Sequence, residues 1–119
     1  ETIAIKDPEE INNNYIRLFR TAIKKKIFVG IATHDSMLIK NIIEIIKNEK
    51  INKRQFEFQF LYGVPMGDTL QKIRSKGFDI RIYAPFGKKW YEYSIRRLKE
   101  NPNISGFIIK NIFKNNFYK

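Results

Sequence analysis

An α/β fold on a parallel sheet is what this chain encodes, because three strand-like runs are each followed by a polar turn and a helical pattern. Ile27-Phe28-Val29-Gly30-Ile31-Ala32 is a continuous apolar run, the mark of a strand buried on both faces of a parallel sheet. Phe56, Phe58 and Phe60 alternate with Glu57, Gln59 and Leu61, the period-two pattern of a strand with one aromatic face. Asp79-Ile80-Arg81-Ile82-Tyr83 alternates again and puts Arg81 and Tyr83 on one face, Ile80 and Ile82 on the other. Repeated in this order, right-handed βα units make a parallel sheet. The alternation at 56–61 would equally suit a half-exposed antiparallel strand, so that run alone leaves the choice open.

The first helix reaches to about residue 26. Asp7-Pro8-Glu9-Glu10 starts it with a capping aspartate, a proline at the first helical position and acids in the first turn. Ile11, Tyr15, Leu18, Phe19 and Ala22 recur at helical spacing, and Lys24-Lys25-Lys26 complements the dipole at the far end. The lysine run could serve a phosphate, but a cationic last turn is the commoner reason for it. Past the apolar run come Thr33-His34-Asp35-Ser36. Asp35 or Ser36 caps the next helix, 37–48, which explains either of them but not Thr33 or His34. Ligands in α/β sheets sit just beyond the carboxyl ends of the strands, where these two residues fall. The strand at 56–61 turns his aromatic face to helices and carries Gln59 and Leu61 toward the inside of a sheet or barrel. Gly63-Val64-Pro65-Met66-Gly67-Asp68 is a turn, and a helix starts at Asp68 or Thr69 and stops near Gly77.

Composition narrows the function classes. At 119 residues and 43% apolar content, the chain is one domain's worth with enough material for some core. No apolar run reaches the roughly 18–20 residues of a membrane span, and the first residues carry no basic, cleavable leader pattern. With no cysteine, disulfides and thiolate chemistry are excluded, and the single histidine makes a histidine metal cluster implausible. The net charge of +11 permits nucleic acid or anionic lipid as a partner. A lysine-rich, solvated surface explains the same charge without any partner, so no nucleic acid is expected.

The last strand leads into Tyr83-Ala84-Pro85-Phe86-Gly87, and then into a helix carrying Tyr93, Arg96, Arg97 and Glu100 at helical spacing. Asn101-Pro102 closes that helix. Two adjacent arginines beside a turn at a strand's carboxyl end suit a small carboxylate, because each guanidinium is a planar fork. A basic solvated helix face is the alternative reading. Residues 104–109 form a short apolar run and 111–119 a basic, aromatic tail, neither assigned to an element.

Three blocks, in order, resemble proline dehydrogenase: Ala32-Thr33-His34-Asp35, Phe56-Glu57-Phe58-Gln59-Phe60-Leu61-Tyr62-Gly63, and the Tyr-Ala-Pro-Phe-Gly turn with Trp90-Tyr91-x-Tyr93 and Arg96-Arg97-Leu98-x-Glu100-Asn101. The resemblance implies the last three strands and final helix of a (β/α)8 barrel, incomplete in this chain. A closed barrel takes about 250 residues, so the missing half must come from a longer chain or another polypeptide. Residues 1–119 are then the C-terminal part of one barrel domain with no internal boundary. The implied activity is FAD-dependent oxidation of L-proline to 1-pyrroline-5-carboxylate, the first step of proline degradation to glutamate. A hydride moves to flavin N5 and a quinone takes the electrons onward. By resemblance, Arg96 and Arg97 hold the substrate carboxylate, Tyr83, Tyr93 and Leu61 wall its ring, and Thr33, His34, Gln59 and Glu100 contact FAD. No side chain is expected to act as a catalytic base, and no metal is expected. Tyr62 stands where some relatives have histidine. Tyr83 favours proline over hydroxyproline, whose enzymes tend to have a smaller residue there. The chain alone is expected to be inactive. A location in the cytoplasm, or peripheral on an inner membrane face (the matrix side in a mitochondrion), is implied as well. The alternatives are a small basic nucleic-acid-binding module and a membrane-surface module using the tail 110–119.

Overall fold

The computed structural model describes residues 4–62, 64, 66–84, 86–88, 92, 93 and 96. Among them the elements follow one another as α1 (Pro8–Lys24), β1 (Val29–Ala32), α2 (Ser36–Asn48), β2 (Phe56–Leu61), α3 (Thr69–Ser75) and β3 (Ile80–Tyr83), with a 3-10 turn at Lys53–Gln55. The strands form one sheet in the order β1-β2-β3. Both pairings are parallel, with Ala32 beside Gln59, Gln59 beside Arg81, and Leu61 beside Tyr83. The α/β class and the parallel sheet therefore hold. Three strands are a partial sheet, with which an incomplete barrel domain is consistent.

Helix starts follow the expected chemistry. Asp7 accepts from Glu10 N–H at the head of α1, and Asp35 accepts from both Met37 and Leu38 N–H at the head of α2. Asp68 occupies the capping position of α3 without a side-chain bond. The apolar run at 27–32 is corrected in two ways. The strand begins at Val29, and Ile27 and Phe28 are exposed. Within β1 only Ile31 is buried, so one face is covered and not both.

The core lies between the aromatic face of the sheet and the helices. Phe56, Phe58, Phe60 and Ile31 from the strands meet Phe19 of α1, Leu38, Ile39, Ile42 and Ile46 of α2, and Ile73 of α3. Each such large side chain removed from water contributes about 1.5–3 kcal/mol. Of the apolar stripe expected on α1, Phe19 is buried and Tyr15 half-buried, while Ile11 and Leu18 remain exposed. Burial raises the Tyr15 phenol pKa, with the nearby Ala32 backbone opposing. Among the described residues no helix is long and apolar enough to cross a membrane.

Candidate functional site

The pleat that sends Phe56, Phe58 and Phe60 into the core sends Glu57, Gln59 and Leu61 to the opposite face. Gly30 and Ala32 of β1 and Arg81 and Tyr83 of β3 share that face through the register. Gly30 matters here for what it lacks. A Cβ there would stand 2.4 Å from Gln59 Nε2 and 2.7 Å from its Cδ, so the amide lies flat over the glycine backbone.

Gln59 is tied down by a charged pair. Its Nε2 donates to Glu57 Oε1 at 2.8 Å. Arg81 grips the same carboxylate with two donors, Nε to Oε1 at 2.6 Å and Nη2 to Oε2 at 3.0 Å. Glu57 is 8% exposed, although it faces the open side of the sheet. The cover comes from its immediate neighbours and not from depth. The Arg81 hydrogen bond holds the Glu57 carboxyl below its ordinary pKa, with burial opposing and Gln59 assisting. Glu57 and Arg81 were not expected as site residues. The signal was present, since Glu57 alternates in step with Gln59 and Arg81 in step with Tyr83.

At the carboxyl end of the sheet, His34 continues the ladder that β1 leaves off. Phe58 and Tyr62 N–H bond toward β3, to Asp79 O and Tyr83 O, so by alternation Leu61 N–H points toward β1. There it donates to His34 Nε2 at 3.1 Å. The ring also meets Phe60 edge-on, with centroids 5.8 Å apart. An accepting Nε2 places the imidazole proton on Nδ1, which remains a donor. Burial lowers the His34 pKa and favours this neutral form. Thr33 Oγ1 accepts from Asp35 N–H at 3.2 Å.

The structure thus gathers Thr33, His34, Gln59, Leu61 and Tyr83 around the carboxyl ends of three adjacent strands. Tyr93 and Arg96 lie in helical conformation beyond the turn, and both are exposed. Arg97 and Glu100 lie outside the described residues. An apolar cavity of about 530 Å³ adjoins this cluster at Leu61 and Tyr62 and runs against Phe60, Ile80 and Ile82 toward α3. Among the described residues no cluster of carboxylates and imidazole could hold a metal. The open face offers an amide acceptor over the side-chain-free Gly30, and the His34 imidazole and Thr33 hydroxyl stand just past the end of β1. That set fits the edge of a flat heterocycle carrying both N–H and C=O groups, as a flavin does.

The comparisons with known proteins agree on one family. The family model described as proline dehydrogenase matches residues 4–110. The proline dehydrogenase of Deinococcus radiodurans is 33% identical over 113 residues, covering 95% of this chain and 36% of that protein. Proline dehydrogenase 2 of Bacillus subtilis strain 168 is 32% identical over 114 residues, 96% of this chain and 37% of its own length. Proline dehydrogenase 1 of the same strain is 29% identical over 112 residues, again 37% of its length. The chain therefore spans little more than a third of these relatives.

Proposed function

The chain belongs to the proline dehydrogenase family, and we propose that it forms the C-terminal part of a (β/α)8 barrel that oxidises L-proline to 1-pyrroline-5-carboxylate. The observation that carries this reading is the convergence of His34, Gln59, Leu61 and Tyr83 at the carboxyl ends of parallel strands, where such folds bind their ligands. FAD, when bound, supplies the two-electron acceptor for the hydride from the proline ring.

The residues of this chain bind, orient and exclude water. His34 donates through Nδ1–H, and Gln59 accepts through Oε1. Thr33 and Glu100 complete the FAD contacts. Leu61 and Tyr83, neighbours in register, wall the substrate ring together with Tyr93. Arg96 and Arg97 hold the proline carboxylate from two sides, since adjacent helical residues point about 100° apart. No side chain has to remove a proton from carbon, so the absence of a strong base from this set is in keeping with the reaction. Electrons pass on to a quinone, which gives the complete enzyme a reason for peripheral membrane contact, on the cytoplasmic or matrix side.

The test uses the complete enzyme that carries this sequence. It should show flavin absorbance that bleaches on adding L-proline, and absence of flavin would overturn the reading. Arg96→Met or Arg97→Met should each lower kcat/KM for proline roughly tenfold to a hundredfold, as loss of a charged hydrogen bond predicts. Flavin content should stay normal. A variant that loses flavin and keeps its proline kinetics would reassign the arginine to the cofactor.

A further inference from the structure

A glutamine amide has two nearly isosteric ends, and which end faces a ligand decides whether it accepts or donates. At Gln59 the choice is made by its neighbour. An ionised carboxylate only accepts, so the group turned to Glu57 must be the NH2. Arg81 occupies both carboxylate oxygens and holds their plane. Gly30 leaves room for the amide to lie flat between the strands. Among the described residues nothing donates to Gln59 Oε1, and no side-chain oxygen or nitrogen there is both buried and unpartnered. The carbonyl oxygen is therefore open to solvent on the ligand face.

We propose that Glu57 and Arg81 are positioning residues: they fix the Gln59 side-chain amide so that it presents an acceptor, and never a donor, to the flavin. The inference rests on the reading of Gln59 as a flavin contact. The matching ligand group is an N–H or O–H, which on an oxidised flavin means the ring imide or a ribityl hydroxyl. Neither Glu57 nor Arg81 has to touch the flavin. If Glu57 lost its charge, its own proton could donate to Gln59 Oε1, and the amide could turn over.

The experiment is a double-mutant cycle on the complete enzyme, stripped of flavin and titrated with FAD, with dissociation constant and visible spectrum as readouts. Gln59→Ala and Glu57→Gln should each weaken FAD binding about 3–10-fold, the range expected for one hydrogen bond. In the Gln59→Ala background, Glu57→Gln should add nothing further, because its effect runs through Gln59. Gln59→Glu should be worse than Gln59→Ala, since two carboxylates then face each other. Adding Glu57→Gln should relieve it, because the new amide donates to the new carboxylate. A purely structural role for Glu57 would not produce that rescue. Independent, additive effects, or normal FAD affinity in Glu57→Gln beside weakened Gln59→Ala, would overturn the positioning role and leave the contact standing. Unchanged affinity in Gln59→Ala would remove the contact reading itself, and this inference with it. Should Glu57→Gln fail to fold, Arg81→Lys tests the same point by keeping the charge and losing the fork. FAD affinity weakened only when Gln59 is present supports the proposal, and unchanged affinity overturns it.

Discussion

His34 joins two strand ends through one ring nitrogen; that contact fixes its tautomer, and burial sets its pH response. Removing the ring in His34→Ala leaves Leu61 N–H without its acceptor, a cost of about 1–3 kcal/mol, nearer the low end where water can enter. Because the folded pKa lies below the ordinary 6.5, protonation is easier in the unfolded chain. The contribution is complete above pH 6.5 and is lost as pH falls from there through the folded value. Thermal unfolding of the apoenzyme between pH 8 and 5 should show a steeper decline in the wild type than in His34→Phe. Parallel declines would mean that other groups titrate. Gly30→Ala tests the Gln59 amide. Its methyl must push the Gln59 amide aside, and since that is the mobile end of a long side chain the fold should survive, losing about 0.5–1.5 kcal/mol with the Glu57 bond. FAD affinity should fall with it, and an unchanged affinity would show that the amide relocates freely. The sequence made Thr33, His34 and Gln59 visible as residues past or inside strands. It could not show that His34 bonds a backbone N–H 27 positions away, nor that Glu57 and Arg81 meet diagonally across β2 and β3. Both depend on register, which no local pattern prints.

At the scale of elements, α1, α2 and α3 end in one way. In α3 the chain turns at Gly77 with φ +66°, Gly77 N–H donating to Arg74 O and Phe78 N–H to Ile73 O. These paired bonds and the left-handed residue between them are a Schellman cap, for which glycine is the usual choice. The end near Gly77 was legible for that reason. α1 and α2 make the same pair of bonds around Lys26 (φ 58°) and Lys50 (φ 50°). Lysine does not announce such a turn, so Ile27 and Phe28 read as strand when the cap of α1 in fact uses Ile27, whose N–H donates to Ala22 O. A side chain in the left-handed region costs about 1–2 kcal/mol, part of which glycine returns through unfolded-state entropy. Lys26→Gly and Lys50→Gly should therefore each stabilise the protein by about 0.5–1 kcal/mol, measured by urea unfolding. At the other end of α2, Asp35→Ala takes the acceptor from Met37 and Leu38 N–H and removes the bond from Asn12 Nδ2 on α1. It should cost about 1 kcal/mol.

Among the described residues the molecule is lopsided: helices pack on the aromatic face of its sheet and leave the other face open. Phe56, Phe58 and Phe60 are 0–2% exposed, whereas Gly30, Ala32, Arg81 and Tyr83 on the other face are exposed. Parallel sheets ordinarily have both faces covered, and a closed barrel does this by wrapping the polar face around its own interior. Among the described residues β1 and β3 each pair with one strand only, which leaves ladder groups available to other strands. The 119-residue polypeptide prepared alone should therefore self-associate at micromolar concentration, seen as a mass above the monomer by light scattering. It should also give no proline-dependent dye reduction, because three strands cannot enclose a flavin or keep water from a hydride donor. Supplying the preceding barrel strands, in one chain or as a second polypeptide, should restore both a defined mass and the flavin absorbance. A monodisperse monomer that turned over proline unaided would show that the open face is sufficient as it stands, and that the barrel is not what these strands require.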